Sequence, residues 1–345
     1  MIRIATLNLY HWAEPGIWWY ARTEGRHDAE SWSRKRAWLA ALLVEMDADL
    51  VGFQEVVSVE ALRELCAEAG YPHFAVGDAP VIEEGEIYTR PVQTLASRHP
   101  MTAEALRAPE GFPAALSLPE DWSIRRPAVK AAVDLPGLGA ALIYVCHLKS
   151  KGAAPRALRF APETPWDERV RETLAAISRG HASATRQRTA EASALYHEAV
   201  ARIAENPARP VIVMGDLNDD PFTPALEALT ASRPPGEVDG FAFEDLPDEA
   251  RALVARYQLH DAWRLCRRDP RDEGRGTGPG RDWTHAQGSA RSVLDFILVS
   301  EALNPLAAGR TGAVLGHHVF DAHLWRGDAD GSSDHAAVLV EIGAA

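Results

Sequence analysis

The sequence lacks several features that would assign a chain to a class at once. It has no run of about 18 or more apolar residues, so we expect no membrane-spanning segment. Residues 1–4 lead directly into a strand pattern, without the basic and apolar regions of a signal peptide. The only cysteines, Cys66, Cys146 and Cys266, are too few and too far apart for a disulfide framework. We therefore expect a cytoplasmic protein with no stable membrane insertion.

An excess of basic residues is also absent, because the net charge is −13 at pH 7. That balance argues against non-specific coating of nucleic acid, which requires a basic face. Basic residues are nevertheless concentrated between Lys149 and Arg188, with nine Lys or Arg against four acids. This stretch either draws an anionic substrate towards a nearby site or forms the solvated surface of a helix.

What the chain does contain is enough apolar residues, 46% of 345, for a large core. Strand patterns outnumber helical patterns and interleave with them, and no repeat or long linker divides the sequence. The strand patterns cover 2–8, 49–56, 73–76, 92–97, 126–134, 139–147, 211–214, 293–299, 312–320 and 336–342; the helical patterns begin at Ser31 or Ser33, at Ser58, at Thr185 and at Thr223 or Pro224. We predict loops at 231–250 and 268–282, and a basic, partly helical insertion at about 152–182. The pattern favours one α+β domain over 1–345, with two packed sheets and helices outside.

Five short polar segments each follow an apolar run and carry groups that suit a hydrated divalent cation and a phosphate. They are Thr6-Leu7-Asn8, Gly52-Phe53-Gln54-Glu55, Cys146-His147-Leu148-Lys149-Ser150, Gly215-Asp216-Leu217-Asn218 and Ser333-Asp334-His335. If one scaffold gathers them at a common rim, they suit metal-assisted attack of water on a phosphoester.

Glu55 follows a nearly apolar strand, where a carboxylate is costly unless it is solvated, paired or bound to a metal. Mg²⁺ prefers oxygen ligands and usually takes one or two carboxylates. Glu55 with the amide oxygen of Asn8 fits that preference, and Asp334 is a third candidate ligand. A surface glutamate at a strand end is the alternative.

Asp216 and Asn218 lie two residues apart after an apolar run, so both side chains can face one phosphate. Asp216 is a candidate general base for water, and Asn218 would orient the water or a phosphate oxygen. A turn into a helix is the alternative, because Asp and Asn suit turns.

His335 is a candidate ligand for a phosphoryl oxygen if a carboxylate keeps it protonated. Asp295, inside an apolar strand, is its natural partner, since a buried aspartate is expensive without one. A structural ion pair would give the same pattern. His147 could bind the phosphate or protonate the leaving oxygen, or it could be a satisfied histidine at a strand end.

Other residues carry weaker signals. Arg98, Lys149 and His285 are candidate substrate contacts, although a salt bridge or packing would explain Arg98 and His285 equally well. The set His317, His318, Asp321 and His323 has spacing compatible with a transition-metal site. The aromatic segment Trp12–Tyr20 could stack on a base, enter lipid or cover the core, and we favour core cover. Cys146 should point away from His147, which argues against a Cys–His nucleophile pair.

In this order, the segments resemble the endonuclease/exonuclease/phosphatase superfamily. That group includes exonuclease III-type repair nucleases, pancreatic deoxyribonuclease, neutral sphingomyelinases and inositol-polyphosphate phosphatases. The resemblance extends from Thr6 to Ile342. It implies a four-layered α/β sandwich of two mainly antiparallel sheets and dependence on Mg²⁺ or Mn²⁺.

The resemblance also implies a role for each matching residue. Asn8, Glu55 and Asp334 would hold the metal, and Asp216 and Asn218 would be the base and its partner. Asp295 and His335 would be the paired residues. His147 would match the active-site histidine of the deoxyribonuclease-like, sphingomyelinase-like and phosphatase-like branches, whereas repair nucleases tend to carry Tyr at that position. The helix pattern Arg188, Glu191, Ala192 further resembles predicted bacterial nucleases of the group. Two departures weaken a repair-nuclease assignment: Val293 replaces an Arg of many relatives, and Tyr10 replaces a metal-binding Asp.

We therefore expect a Mg²⁺- or Mn²⁺-dependent phosphoester hydrolase, a phosphodiesterase acting on DNA or RNA. The first alternative is a phosphomonoesterase or lipid-head-group phosphodiesterase acting on an inositol phosphate, a nucleotide or a sphingomyelin-like substrate. A more remote alternative is a binding module without catalysis. The sequence indicates no obligate protein partner.

Overall fold

The structure is a computed structural model that describes residues 1–22, 25–152, 158–266 and 281–345. In chain order, its strands are β1 (Ile2–Trp12), β2 (Trp18–Trp19), β3 (Leu50–Val56), β4 (His73–Val76), β5 (Val81–Glu83), β6 (Ile87–Arg90), β7 (Val92–Ser97), β8 (Met101–Ala105), β9 (Val129–Leu135), β10 (Gly139–His147), β11 (Val211–Asp216), β12 (Glu237–Val238), β13 (Phe241–Ala242), β14 (His260–Asp261), β15 (His285–Gln287), β16 (Ala290–Ser292), β17 (Asp295–Val299), β18 (Gly312–Phe320) and β19 (Ala337–Ala344). The helices are α1 (Ala29–Met46), α2 (Val59–Glu68), α3 (Phe112–Ala115), α4 (Trp166–Glu205), α5 (Pro224–Thr230), α6 (Asp248–Arg256) and α7 (Ala262–Cys266).

Two six-stranded sheets form the centre of the molecule. The first has the order β18-β19-β1-β3-β7-β4, and the second has the order β14-β17-β11-β10-β9-β8. Each sheet contains a single parallel pair, β1 with β3 and β10 with β11, and its other pairs are antiparallel. Strands from both halves of the chain enter each sheet, as expected for one domain.

Apolar side chains between the two sheets form the main core. Ile4 and Leu95 of the first sheet lie in one buried cluster with Val145 and Met214 of the second. Gly52 allows this close approach, because a Cβ there would lie 2.8 Å from Met214 Cε. The outer face of the first sheet packs against α1 and α2, and that of the second packs against α4 and α5. The predicted four-layered sandwich with helices outside is therefore confirmed.

The inner faces of the strands carry the polar side chains to one rim. Val145, Met214 and Ile297 face the core, and the rim side chains two residues away on the same faces are His147, Asp216 and Asp295, the last of which precedes Ile297 because β17 is antiparallel to β11. Asn8 continues the inner face of β1 in the same way. The period-2 alternation of buried strands thus places these polar groups where the core ends.

Several predicted boundaries were wrong for local reasons. Helix α1 begins after Asp28, whose side chain accepts the backbone N–H of Ser31 at 2.7 Å in a capping box. The start of α2 was predicted correctly, because Ser58 is its N-cap residue, although the Ser58 hydroxyl accepts the N–H of Glu14 rather than a helix N–H. The strand predicted from 126 begins at Val129, after the Pro127 that cannot donate to a ladder.

The largest difference concerns the predicted insertion. Residues 166–182 are the first half of α4, which runs without a break for 40 residues to Glu205. Helix α6 was also missed: it begins at the end of the predicted loop at 231–250 and continues to Arg256, and none of its residues is buried. Of the loop predicted at 268–282, positions 268–280 lie outside the described residues, as do 153–157 of the insertion.

No helix in the described part of the chain is long and apolar enough to cross a membrane. Cys66, Cys146 and Cys266 are all free thiols. The expected cytoplasmic location stays a prediction.

Candidate active site

Three strands of the second sheet place three ionisable side chains in one row. His147 on β10 is in register with Asp216 on β11, and Asp216 is in register with Asp295 on β17. His147 Nε2 lies 3.3 Å from Asp216 Oδ2. All three residues are buried. Neighbouring strand ends therefore create a compact, charged cluster.

Asp216 is the centre of this cluster. Its Oδ1 accepts the backbone N–H of Asn218 at 2.8 Å, and its Oδ2 accepts the side-chain amides of Asn218 at 3.1 Å and Asn8 at 3.0 Å. Burial by itself would raise the pKa of the carboxyl, but His147 and His335 outweigh it and hold that pKa well below its usual range. Asp216 is therefore ionised and surrounded by donors at neutral pH.

His335 and Asp295 form a buried pair. Asp295 Oδ2 accepts from His335 Nδ1 at 2.8 Å, and His335 Nε2 lies 3.9 Å from Asp216 Oδ2. Burial would lower the pKa of His335, but the charges of Asp295 and Asp216 outweigh it and raise that pKa well above its usual value. Thr284 Oγ1 accepts the backbone N–H of Asp295 at 3.0 Å and fixes its strand. His335 is thus a cation at neutral pH.

His147 has the opposite protonation state. Its Nδ1 lies 3.0 Å from an N–H of Arg126, which can only donate, so Nδ1 is the acceptor. The ring proton then lies on Nε2, which faces Asp216. Burial first, and Arg126 second, lower the pKa of His147. The two histidines beside Asp216 are therefore one cation and one neutral donor.

Glu55 lies on the first sheet, opposite this row. Its carboxylate accepts the backbone N–H of His11 at 3.1 Å and the amide of Asn8 at 3.4 Å. Burial would raise its pKa, but His11, His147, His335 and Arg126 outweigh it and lower the pKa to about 2. The φ angle of Glu55 is +60°, in a region that costs energy for a residue with a side chain. Asn8 thus connects Glu55 to Asp216.

Two groups of three side chains could hold a metal ion, since their ligand atoms all lie within 4.8 Å of one another. They are Asp216 with Asp295 and His335, and His285 with Asp334 and His335. Asp334 Oδ1 is buried and has no hydrogen-bond partner among the described residues. Such an orphaned carboxylate oxygen, grouped with His285 and His335, fits a divalent cation.

Asn8 makes a different contact from the predicted one. Its Oδ1 accepts the backbone N–H of Tyr10 at 3.0 Å, and its amide nitrogen faces both Glu55 and Asp216. As placed, it donates to the carboxylates rather than offering an oxygen to a cation. A half-turn of the amide would present the oxygen, at the cost of the bond to Tyr10.

The structure brings together most of the predicted site residues: Asn8, Glu55, His147, Asp216, Asn218, Asp295, Asp334 and His335. His285 also lies at the site, with its ring centroid 4.7 Å from that of His335 and its Nε2 3.7 Å from Asp334. Lys149 is half-buried two residues after His147.

Arg98 is the exception. It follows β7 where Ser97 pairs with Leu50, at the start of β3, whereas Glu55 lies at the other end of that strand. Its guanidinium instead pairs with Asp47 at 2.8 Å. The predicted contact with substrate does not fit this position, because Arg98 lies at the opposite end of the strands from Glu55.

The histidine-rich set and the aromatic segment singled out in the sequence make mainly structural contacts. In the part of the chain that the structure describes, His317, His318, Asp321 and His323 do not form a metal-binding group. His323 instead donates to the backbone oxygen of His335 at 2.7 Å. Trp12 is fully buried, and Trp19 stacks on His11 at 4.3 Å, so the aromatic segment mainly covers the core.

Sequence reasoning missed Arg126 and His11. Arg126 follows Arg125 and precedes Pro127, just before β9, the neighbour of the strand that carries His147. A pair of arginines beside a site strand was the available signal. His11 gave no signal, because φ angles of +46° at Tyr10 and +59° at His11 redirect the chain there.

Comparisons with known proteins agree with this fold. The model of the Endonuclease/Exonuclease/phosphatase family matches residues 16–335. No curated protein matches the chain. Similar solved structures include the human Nocturnin catalytic domain, with 16% identity, TM-score 0.56 and coverage of 100% of this chain and 94% of that one. They also include TDP2 from C. elegans, with 16% identity, TM-score 0.53 and coverage of 99% and 75%. A family protein from Beutenbergia cavernae DSM 12333 has 17% identity, TM-score 0.50 and coverage of 99% and 71%.

A two-sheet sandwich with carboxylates and histidines gathered at one rim defines the class of metal-dependent phosphoesterase folds. The chain belongs to the endonuclease/exonuclease/phosphatase family.

Proposed function

We propose that this protein is a divalent-metal-dependent phosphoester hydrolase whose main reaction is the hydrolysis of a phosphodiester in nucleic acid. The observation that carries the proposal is Asp216, a buried and ionised carboxylate between a cationic and a neutral histidine. An arrangement that costs this much desolvation is typical of a catalytic centre.

Mg²⁺ or Mn²⁺ is the cation that fits best. Hard oxygen donors suit these ions, and the carboxylates of Glu55 and Asp334, within the described residues, accept no hydrogen bond from a histidine ring. Asp295 is less suited, because its Oδ2 is already bonded to His335. We therefore assign the cation to Glu55 and Asp334, with Asn8 after its amide turns. When bound, a divalent cation acts as a Lewis acid that polarises a phosphoryl oxygen.

The protein groups divide the remaining work. Asp216 accepts a proton from the attacking water, and Asn218 holds that carboxylate in place through its backbone and side-chain N–H groups. His335, kept cationic by Asp295, donates to a phosphoryl oxygen as negative charge develops. His147, as a neutral imidazole, donates a hydrogen bond from Nε2–H to the phosphate or the departing oxygen, and the departing oxygen takes its proton from water.

A small phosphomonoester or lipid head group is the second candidate substrate. The net charge of −13 favours it, because a long polynucleotide gains affinity from a broad basic face. Much of the basic stretch at 149–188 is engaged elsewhere: Arg169 donates to backbone oxygens, and Arg188 is buried against Asp219.

Purified protein assayed on a substrate panel tests the proposal. The panel is plasmid DNA, a single-stranded oligonucleotide, p-nitrophenyl phosphate and a choline phosphodiester, each with Mg²⁺, with Mn²⁺ and with EDTA. We expect turnover of nucleic acid only with metal, and a loss of about 10²–10⁴-fold in kcat for Asp216→Asn.

The exposed Asp134→Asn is the matched control and should keep its activity. Turnover of the small esters alone would favour the second candidate. Equal activity of Asp216→Asn and the unaltered protein, or none in either, would contradict hydrolysis at this site and leave a binding module.

A further inference from the structure

A cavity of about 430 Å³ adjoins the active site on the side of His147. Its volume is in the usual range of about 300–1,000 Å³ for small-molecule sites. Four cationic residues line it, namely Arg90, Arg125, Arg126 and Lys149, and the aromatic Tyr20 lines it as well. Arg126 also donates to His147, so the cavity wall and the catalytic cluster share a residue.

Most of this positive charge is not neutralised. Arg90 pairs with Asp78 at 3.0 Å. Within the described residues, Arg125, Arg126 and Lys149 have no carboxylate within salt-bridge distance. Lys149 Nζ donates to Ser150 Oγ at 2.8 Å and to backbone oxygens, which are neutral acceptors.

One carboxylate near the cavity organises it and offsets only part of its positive charge. Glu191 on α4 is buried, and its two oxygens accept the backbone N–H groups of Arg125 at 3.1 Å and Lys149 at 2.8 Å. It thereby fixes the two cationic segments side by side. Burial first, and then Arg126 and Arg125, lower the pKa of Lys149, and Glu191 only partly offsets them, as expected for cations held close together.

We propose that this cavity is a subsite for a second phosphate group of the substrate, next to the phosphate that reacts. The proposal rests on the proposed function and names a substrate class for it: phosphoesters with another phosphate a short distance from the scissile one. An anion in the cavity would relieve the repulsion among the cations and would form charge-assisted hydrogen bonds with two arginines.

Binding to an Asp216→Asn protein, in which turnover should be about 10²–10⁴-fold slower, tests the subsite. The probes are thymidine 3′,5′-bisphosphate and thymidine 5′-monophosphate, titrated by calorimetry with Mn²⁺ present. We expect the bisphosphate to bind about tenfold more tightly, since one charge-assisted bond can account for that factor. Adding Arg125→Gln should remove the preference without disturbing the fold, because Arg125 is exposed and only its backbone binds Glu191.

Arg310→Gln is the matched control. Arg310 is an exposed arginine that precedes β18, at the end of the sheet opposite Asn8. It should retain the preference for the bisphosphate. Equal binding of the two probes, or the same loss of preference with Arg310→Gln, would overturn the subsite.

Kinetics separate this proposal from the proposed function and identify the source of the second phosphate. If the protein with Asp216 hydrolyses phosphoesters but Arg125→Gln keeps the same kcat/KM ratio for two-phosphate and one-phosphate substrates, the subsite fails alone. If no substrate is turned over while the bisphosphate preference exists, only the hydrolytic proposal fails. A preference for an oligonucleotide over the free bisphosphate would assign the second phosphate to a polynucleotide backbone, and the reverse would assign it to a small molecule.

Discussion

Replacing Arg126 with Met should change the protonation and the proton position of His147. The guanidinium N–H lies 3.0 Å from His147 Nδ1, and it donates there. Two unit charges about 4 Å apart interact by about 4 kcal/mol at an effective dielectric constant of about 20, equivalent to about 3 pKa units. Because Arg126 is partly exposed, solvent screens part of this interaction, and its loss should raise the pKa of His147 by less than the full amount.

The direction of the change has two consequences. With Arg126 present, the pKa of His147 lies below its usual value, so protonating this histidine destabilises the fold as the pH falls below about 6.5. Without Arg126 that penalty is smaller, and the variant should lose less stability between about pH 7 and pH 5. A protonated His147 would also bind the carboxylate of Asp216 more strongly, so the acid limb of kcat/KM should move to higher pH.

Nitrogen-15 NMR of labelled histidine measures both properties, because the two ring nitrogens have different shifts when protonated. We expect a neutral ring with the proton on Nε2 in the unaltered protein, and a higher pKa in Arg126→Met. Arg126→Lys is the control that keeps the charge but loses the fork of donors. A proton on Nδ1 in the unaltered protein, or a pKa that does not move in Arg126→Met, would refute the reasoning.

Three further changes test other parts of the site. Glu55→Gln should weaken Mn²⁺ binding at least about tenfold in calorimetry, whereas the exposed Glu84→Gln should not; equal affinities would remove Glu55 from the metal site. Asp295→Asn removes the charge that raises the pKa of His335, so kcat should fall about 10²-fold, and more at pH 8 than at pH 6; a uniform loss across pH would contradict a protonated His335. Gly215→Ala would place a Cβ 1.9 Å from the oxygen of Cys146 at a φ of +141°, so urea unfolding should show a loss of about 3 kcal/mol or more, while Gly236→Ala, with open space, should change stability by about 0.5 kcal/mol or less.

Much of the candidate site could be predicted because it continues the alternation of the strands. Met214 faces the core, so Asp216 two residues later faces the same way, and His147 and Asp295 follow from the same argument on their own strands. The polar residue at the end of each apolar stripe was visible in the sequence. Their mutual distances were not, because strand order and register depend on contacts between distant parts of the chain.

Glu55 shows where alternation fails. Val51 and Phe53 face the helices on the outer side of the first sheet, and strict alternation would send Glu55 to that side as well. The backbone at Glu55 has φ +60°, and its carboxylate contacts Asn8 and His11 instead. A strained backbone that the surrounding structure must hold in place cannot be read from the local sequence.

The sequence by itself determined the layered fold, the two sheets and the inner faces of the strands, because burial imposes a period of two on every strand in the core. It also determined which residue types end those strands. Only the tertiary structure decided that Arg126 donates a hydrogen bond to His147 and that Arg98 lies at the end of the sheet away from the site. It also decided that Arg125 and Lys149 line a common cavity. Those positions depend on the pairing of strands far apart in the chain, and no local pattern of residues encodes such pairing.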